Sequence, residues 1–558
     1  MSHQFVPGAH LRGLEADPHR GEEIEKKSPG ERAPAVEHRT HRLQLTGLAA
    51  GLLAAALVYV LMPGDVPADA RLTAATAVLM GLWWMTEAVP IPATALLPLV
   101  VFPLFASDVS VNDVGASYGN NIIFLFMGGF FLALAMQRWN LHRRIALVTV
   151  RLMGTSSSLV IAGFMIATGF LSMWVSNTAT AVMMLPIGVS VLMLVAGLDA
   201  DAADPDHEAD AASAPDADAD PATDAGADPA TDAAVEEATR TNFGTALMLG
   251  IAYSASLGSL GTLIGTPPNT LLAGFMDQTY GVRIDFFRWM MVGVPLAVVF
   301  LVVCWFLLTH VLFRPETARI AGGRELFDTE LEKLGPTSSG ERRVLAIFVL
   351  AATAWVALPL VSEFVLGLKS SLVSDAGIAI IVGLLLFLLP SGSARGVRLL
   401  DWDTAVSLPW GVLLLFGGGL ALSEQFTSSG LTKWIGGQVS ALGALPVVAL
   451  MAIIAAGVLF LTELTSNTAT AATFLPVAGG VATGLGIDPM LLAVPVALSA
   501  TCAFMLPVAT PPNAIAYGSG YVSVGQMVKG GLLLNLIGIV LVTLTASTLL
   551  VWAFGITL

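Results

Sequence analysis

Polar and apolar positions along this chain fall into long blocks and not into a short alternation. Apolar runs at Leu43–Met62, Leu72–Thr86, Met290–Leu312, Val344–Leu360, Ala376–Pro390 and Gly531–Phe554 are mostly long enough, as helix, to cross about 30 Å of hydrocarbon. Alternation of the strand type is absent, so the expected fold is all-α and polytopic, with backbone groups satisfied inside helices. Composition agrees. Of 558 residues, 55% are hydrophobic and 12% charged, and the mean hydropathy is +0.78, which is more apolar sequence than a soluble core can use.

Two polar stretches interrupt the pattern. Residues Met1–Arg42 are polar and of mixed charge, too long for the leading region of a cleaved signal, so Leu43–Met62 is expected to be a retained first span. The formal charge of −15 is concentrated in Asp199–Arg240, which holds fourteen Asp and Glu and one Arg. This Ala/Asp/Pro/Thr insert cannot bury enough apolar surface to fold and is expected to be a solvated, disordered spacer. Cys304 and Cys502 both sit inside apolar runs, which leaves no disulfide framework.

The basic residues predict the orientation. With the N-terminus cytoplasmic, that side receives seven before the first span, Arg138, Arg143, Arg144, Arg151, Arg240, six from Arg314 to Arg343, Arg395, Arg398 and Lys529. The other side receives Arg71, Arg283, Arg288, Lys369 and Lys433. That division, 21 against 5, favours a cytoplasmic N-terminus.

The chain also repeats itself. Ser-Asn-Thr-Ala-Thr occurs at Ser176–Thr180 and Ser466–Thr470, and each copy is followed by Thr-Pro-Pro-Asn, at Thr266–Asn269 and Thr510–Asn513. Phe126 with Gly128-Gly129, and Phe416 with Gly418-Gly419, each lie 50 positions upstream of the serine. Three motifs in one order make a duplicated unit, and duplicated halves build the substrate site of many secondary transporters. The Ser176–Thr266 interval is 90 residues against 44 for Ser466–Thr510, and removing the 42-residue acidic stretch shortens the first to 48. The acidic stretch is therefore an insertion.

Each motif has a physical reading. Two consecutive prolines remove two backbone donors and push the preceding threonine out of helical dihedrals, so helices through Tyr253–Gly274 and Met505–Tyr517 should break near Thr266 and Thr510. Such a break is tolerated in a membrane only against protein or a wet cavity, where freed carbonyls suit sodium and helix N-termini suit anions. Ser-Asn-Thr between apolar arms, Leu159–Val175 with Ala179–Leu198 and Pro446–Leu464 with Ala469–Leu485, is expected at the tip of a re-entrant hairpin. The alternative is ordinary helix packing by small polar residues.

Neither motif pair contains Lys or Arg. A dianion there would be held by hydroxyls, amides, helix N-termini and bound cations, and oxygen ligands without carboxylates suit a weakly held alkali ion. Glu87 and Glu463 are the carboxylates within apolar sequence, either functional or bonded to backbone at a helix end. Gly128-Gly129 and Gly417–Gly419 read as close helix approach. No nucleotide-binding G-x-x-x-x-G-K-[ST] and no H-E-x-x-H occurs, and only His142 and His310 of eight histidines lie outside the tail and the insert. Enzyme chemistry, an organic cofactor and nucleic-acid binding are accordingly not expected.

Together with Tyr118-Gly119-Asn120-Asn121 and Phe126-x-Gly-Gly, the paired motifs resemble the divalent anion:sodium symporter family from about Leu43 to the C-terminus. The resemblance implies sodium-coupled import of dicarboxylate, citrate or sulfate by an elevator-like homodimer in the plasma membrane. It also implies about eleven transmembrane helices in an inverted repeat, two re-entrant hairpins, and separate scaffold and transport domains. One sodium would lie among Ser172, Ser176, Asn177 and Gly265, a second among Thr462, Thr465, Asn467 and Ala509. Substrate would lie near Asn177, Thr178, Ser466, Asn467 and Thr468, with Thr266-Pro267 and Thr510-Pro511 closing the site. The expected divisions are a tail to residue 42, a first half 43–312 carrying the insert 199–240, a linker 313–343 and a second half 344–558. A sodium-independent exchanger and an anion channel remain competing readings.

Overall fold

The computed structural model describes residues 38–195, 241–316, 319–320, 323–368, 371–438 and 445–558. The acidic insert and nearly all of the polar tail lie outside them. The described residues are almost entirely helical, with two isolated bridges and no strand.

In chain order the helices are α1 (His38–Leu61), α2 (Ala68–Thr86), α3 (Ile91–Thr94), α4 (Pro98–Phe105), α5 (Val111–Tyr118), α6 (Asn121–Arg138), α7 (Leu141–Met153), α8 (Ser157–Ser172), α9 (Asn177–Val195), α10 (Asn242–Ser259), α11 (Pro267–Tyr280) and α12 (Phe286–Phe306). They continue as α13 (Gly323–Lys333), α14 (Ser339–Leu360), α15 (Asp375–Leu388), α16 (Trp402–Ala405), α17 (Trp410–Ser428), α18 (Leu431–Gln438), α19 (Val447–Thr462), α20 (Asn467–Leu485), α21 (Met490–Thr501), α22 (Pro511–Gly518), α23 (Val524–Ser547) and α24 (Leu549–Phe554). Among the described residues seven helical stretches are long and apolar enough to cross a membrane, and five apolar helices are shorter. Two of the shorter ones, α8 and α19, are the first arms of the expected hairpins.

Both Thr-Pro-Pro-Asn motifs break a helix as the prolines demand. Thr266 and Thr510 are N-caps with φ of −142°, and the prolines take the first two positions of α11 and α22, where a missing N–H costs nothing. The second break is wider than the expected one: α21 already ends at Thr501, so Met505–Ala509 are not helical. The chain turns over residues 173–176 and 463–466, and the new helices begin on Asn177 and Asn467. Ser-Asn-Thr therefore joins turn to helix: Ser176 and Ser466 end the turns, Asn and Thr open the helices, and Ser176 Oγ accepts from the Ala179 N–H at 3.3 Å.

The halves interlock. α10 packs on α22 while α21 packs on α11, and α9 meets α22 as α20 meets α11. The duplicated Phe126 and Phe416 touch each other edge to face at 5.0 Å between ring centroids. The glycines serve close approach: a Cβ on Gly128 would strike the Ala379 backbone, and one on Gly418 the Ala95 carbonyl. At one end of the bundle, Arg143 pairs with Glu330, Arg144 with Glu341 and Arg151 with Asp328, tying α7 to α13 and α14.

Candidate functional site

Four helix ends converge on one cavity of about 1100 Å³. Its walls include Ser176, Asn177 and Thr178 from the first tip, Gly265, Thr266 and Pro267 from the first break, Thr465, Ser466, Asn467 and Thr468 from the second tip, and Ala509, Thr510 and Pro511 from the second break. Of the fifteen residues singled out from sequence, thirteen line this space. Ser172 and Thr462 do not reach it; they lie one layer below and hold the asparagines that do.

The two underlying layers are built alike. Ser172 Oγ lies 2.7 Å from Asn177 Oδ1 and 2.6 Å from the Ala255 carbonyl. Thr462 Oγ1 lies 2.8 Å from Asn467 Oδ1 and 3.0 Å from the Ala500 carbonyl. A hydroxyl has one proton to donate, so each triad holds more acceptor capacity than donors. That surplus of neutral oxygens is the ligand chemistry of a hard monovalent cation.

The breaks are stapled by the last residue of each Thr-Pro-Pro-Asn. Asn269 Nδ2 donates toward the carbonyls of Ser259, Leu260 and Thr262, at 3.4, 3.3 and 2.9 Å. Asn513 Nδ2 donates to those of Ala503 and Leu506, each at 3.1 Å. The side-chain oxygen of each, buried, has no hydrogen-bond partner among the described residues. Gly265 lies so close to the Ser259 carbonyl that a Cβ there would collide with it, and the second break has Ala509 at the matching place.

Some participants escaped sequence reading. Ser259 accepts from Asn177 Nδ2 at 3.3 Å but belongs to no repeated motif. The two stapling asparagines were visible as the fourth letter of their motif and had no assigned task. Glu463 resolves in favour of the structural alternative: its buried carboxylate accepts from the backbone N–H groups of Phe504, Met505 and Leu506 and from Asn535 Nδ2, over 2.7 to 3.1 Å. Glu87 lies on the cavity wall beyond α2, with a left-handed φ of 47°. Among the described residues no Lys or Arg lines the cavity.

Helix N-termini, unpaired oxygens and the lack of fixed positive charge suit an anion accompanied by cations. A family model described as the sodium:sulfate symporter transmembrane region matches residues 44–556. The chain belongs to the sodium:sulfate symporter family. Among curated relatives of this symporter family, the sodium-dependent dicarboxylate transporter SdcS of Staphylococcus saprophyticus is 40% identical over 517 residues, 92% of each chain. SdcS of Staphylococcus aureus strain MRSA252 is also 40% identical, over 519 residues that make 92% of this chain and 93% of that one. Among solved structures, the YdaH transporter of Alcanivorax borkumensis superposes with a TM-score of 0.51 over 92% of this chain and 98% of its own, at 13% identity. That likeness concerns the fold alone. The chain is a polytopic α-helical membrane protein of a transporter family.

Proposed function

We propose that this protein imports a divalent anion of the C4-dicarboxylate class together with sodium. The convergence of both hairpin tips and both helix breaks on a single cavity without basic residues carries the reading. A dianion in that cavity needs cations bound beside it, and each half offers one oxygen-rich triad. In this reading Ser172, Ser176, Asn177 and Gly265 hold one sodium, and Thr462, Thr465, Asn467 and Ala509 the other. Asn177, Thr178, Ser466, Asn467 and Thr468 face the substrate, with Thr266-Pro267 and Thr510-Pro511 closing over it. The relatives named for sodium-dependent dicarboxylate transport support the substrate class.

The remaining assignments belong to the same proposal. The chain would sit in the plasma membrane with its N-terminus cytoplasmic, on the strength of the basic-residue asymmetry. It would work as a homodimer in which a transport domain carrying tips and breaks moves against a scaffold, the two halves being inverted repeats.

The test is radiolabelled succinate uptake into proteoliposomes, with and without a sodium gradient, against malate, citrate and sulfate as competitors. Uptake should require sodium, show a Hill coefficient near two or above in sodium, and be competed best by C4-dicarboxylates. Sodium and substrate should each raise the other's affinity, as linkage requires. A sodium-independent exchange of internal for external dicarboxylate would overturn the coupling, and preferential competition by sulfate would overturn the substrate class.

A further inference from the structure

A second cavity, of about 570 Å³, lies at the linker end of α8 and α12, away from the transport site. Its lining includes Ser156, Ser158, Phe306, Thr309, His310 and Arg314. The last turn after α12 is a π-helix, Leu307–Leu312, a geometry that recurs at functional sites. It seats the His310 ring flat against Phe306, 5.3 Å between centroids, and puts Nδ1 2.7 Å from Thr309 Oγ1. Arg314 Nε donates to the His310 carbonyl. Arg314 has no ion-pair partner among the described residues. The nearby carboxylate of Glu316 is committed elsewhere, accepting from the N–H groups of Asn242 and Phe243 at 2.6 and 3.2 Å.

Arg319 and Ile320 pair with the chain just before α8. Ile320 N donates to the Thr155 carbonyl at 2.9 Å, and Arg319 forms a bridge with Ser156. Phe306 and Val311 on the cavity wall, and Leu159 and Val302 on the same helices, are exposed in a membrane protein, where lipid chains are the natural cover. Trp305 donates its indole N–H to the Ser158 carbonyl at 2.8 Å, the amphipathic placement expected of Trp at a membrane boundary. A cavity that combines hydroxyls and a guanidinium with exposed apolar side chains on its own wall matches a lipid with a negatively charged head and not a free ion alone.

We propose that this cavity seats the phosphodiester of an anionic phospholipid, held by Arg314 and the Ser156 and Ser158 hydroxyls, while its acyl chains cover Leu159, Val302, Phe306 and Val311. The bound lipid bridges α8, the first arm of the first hairpin, and α12.

Native mass spectrometry of the full chain, titrated with an equimolar mixture of phosphatidylglycerol and phosphatidylcholine, tests this. The wild-type protein should retain phosphatidylglycerol preferentially. Arg314→Gln should lower that preference about fivefold, the worth of one basic residue at a membrane surface. Ser158→Asp should lower it as well, because a carboxylate there repels the phosphodiester and competes for Arg314; it adds a first-turn acid that a helix favours, so a folding defect does not explain the loss. Arg395→Gln, on an exposed loop outside the cavity lining, should keep the preference. No preference in the wild type, or an equal loss in Arg395→Gln, would overturn the proposal. Displacement of the bound species by millimolar inorganic phosphate, without regard to the lipid supplied, would assign the cavity to a free anion and overturn it too.

Discussion

The two tip-and-break units share their motifs and their hydroxyl-asparagine-carbonyl triads, yet they are held in place by different means. At the first tip Trp174 is 7% exposed, stacked against Trp355 and edge-on to Phe348, and Ile264 in the neighbouring break is also only 7% exposed. The corresponding residues of the second unit, Leu464 and Val508, are 69% and 81% exposed and line the cavity. The first tip is thus anchored to the α12 and α14 wall by aromatic packing. The second stands in the open mouth of the cavity and is fastened to its own break by one carboxylate. Chemistry common to both units belongs to the site, and what differs shows which side of the site is uncovered in this conformation.

Removing the carboxylate is the most severe way to break the comparison. Glu463→Ala strands the buried Phe504 N–H and Asn535 amide and the half-buried N–H groups of Met505 and Leu506, and a buried donor left without a partner costs about 1–3 kcal/mol. The cost should be on the order of 4 kcal/mol, enough to lose the folded protein, measured as collapse of the monodisperse peak in fluorescence-detected size exclusion. Met173 occupies the equivalent place in the first unit and contributes its carbonyl, accepting from Thr262 Oγ1, so Met173→Ala should be tolerated. Equal damage from both would mean that the two tips are fastened in the same way.

A functional asymmetry follows from the asparagines. Asn177 already spends its amide N–H on Ser259, while the Asn467 amide nitrogen has no partner among the described residues and is left for a ligand. Asn467→Ala should raise the succinate KM at saturating sodium by about tenfold or more, the equivalent of about 1.4 kcal/mol. Asn177→Ala should act more on the sodium dependence. Sodium and succinate titrations on both variants decide this, and the reverse pattern would place the substrate on the first tip.

How far sequence reading reached follows from these residues. Repetition exposed whatever is duplicated, because two copies at matched spacing are hard to reconcile with packing alone; the motifs supplied the polar tips and breaks that meet in the cavity, while wall residues such as Gln44, Trp84, Gln137 and Ser407 belong to no repeat and stayed unread. Features belonging to one unit only stayed hidden. Trp174 and Leu464 look equivalent as apolar tip residues, and only tertiary packing separates them. Glu463 could be narrowed to two roles, but its partners at Phe504–Leu506 lie some forty residues away in a segment whose departure from helix was expected only near the prolines. Within each tip, the boundary between turn and helix start was not legible, since N-cap and turn preferences of Ser and Asn overlap.

Packing beneath the tips gives a third contrast. α8 crosses α10 at Gly169 and Gly258, so closely that a Cβ on Gly258 would overlap the Gly169 backbone. The second unit has Leu459 at the place matching Gly169, and it is buried between its helices. Gly258→Ala should therefore cost about 1–3 kcal/mol through overpacking, read as a lowered melting temperature. Restoring space is impossible there because Gly169 has no side chain to trim. An unchanged melting temperature would show that α8 can slide on α10.

The smallest effect concerns one hydroxyl. In the second unit Thr465 Oγ1 lies 2.7 Å from Thr470 Oγ1 and 3.0 Å from the Leu461 carbonyl. In the first unit Val175 replaces the first of these threonines, and the buried Thr180 Oγ1 has no partner among the described residues. A buried hydroxyl without a partner is worth less than nothing, whereas a satisfied one contributes about 1 kcal/mol net. Thr470→Val should then destabilise by about 1 kcal/mol, while Thr180→Val should be neutral or slightly stabilising. Val175→Thr, which supplies the missing partner and sits over the Leu171 carbonyl as Thr465 sits over Leu461, should stabilise by a similar amount, and only while Thr180 is present. A double-mutant cycle on thermal unfolding separates these cases. Equal losses from Thr180→Val and Thr470→Val would mean that Thr180 has a ligand of its own, and the first unit would then be the more completely used of the two.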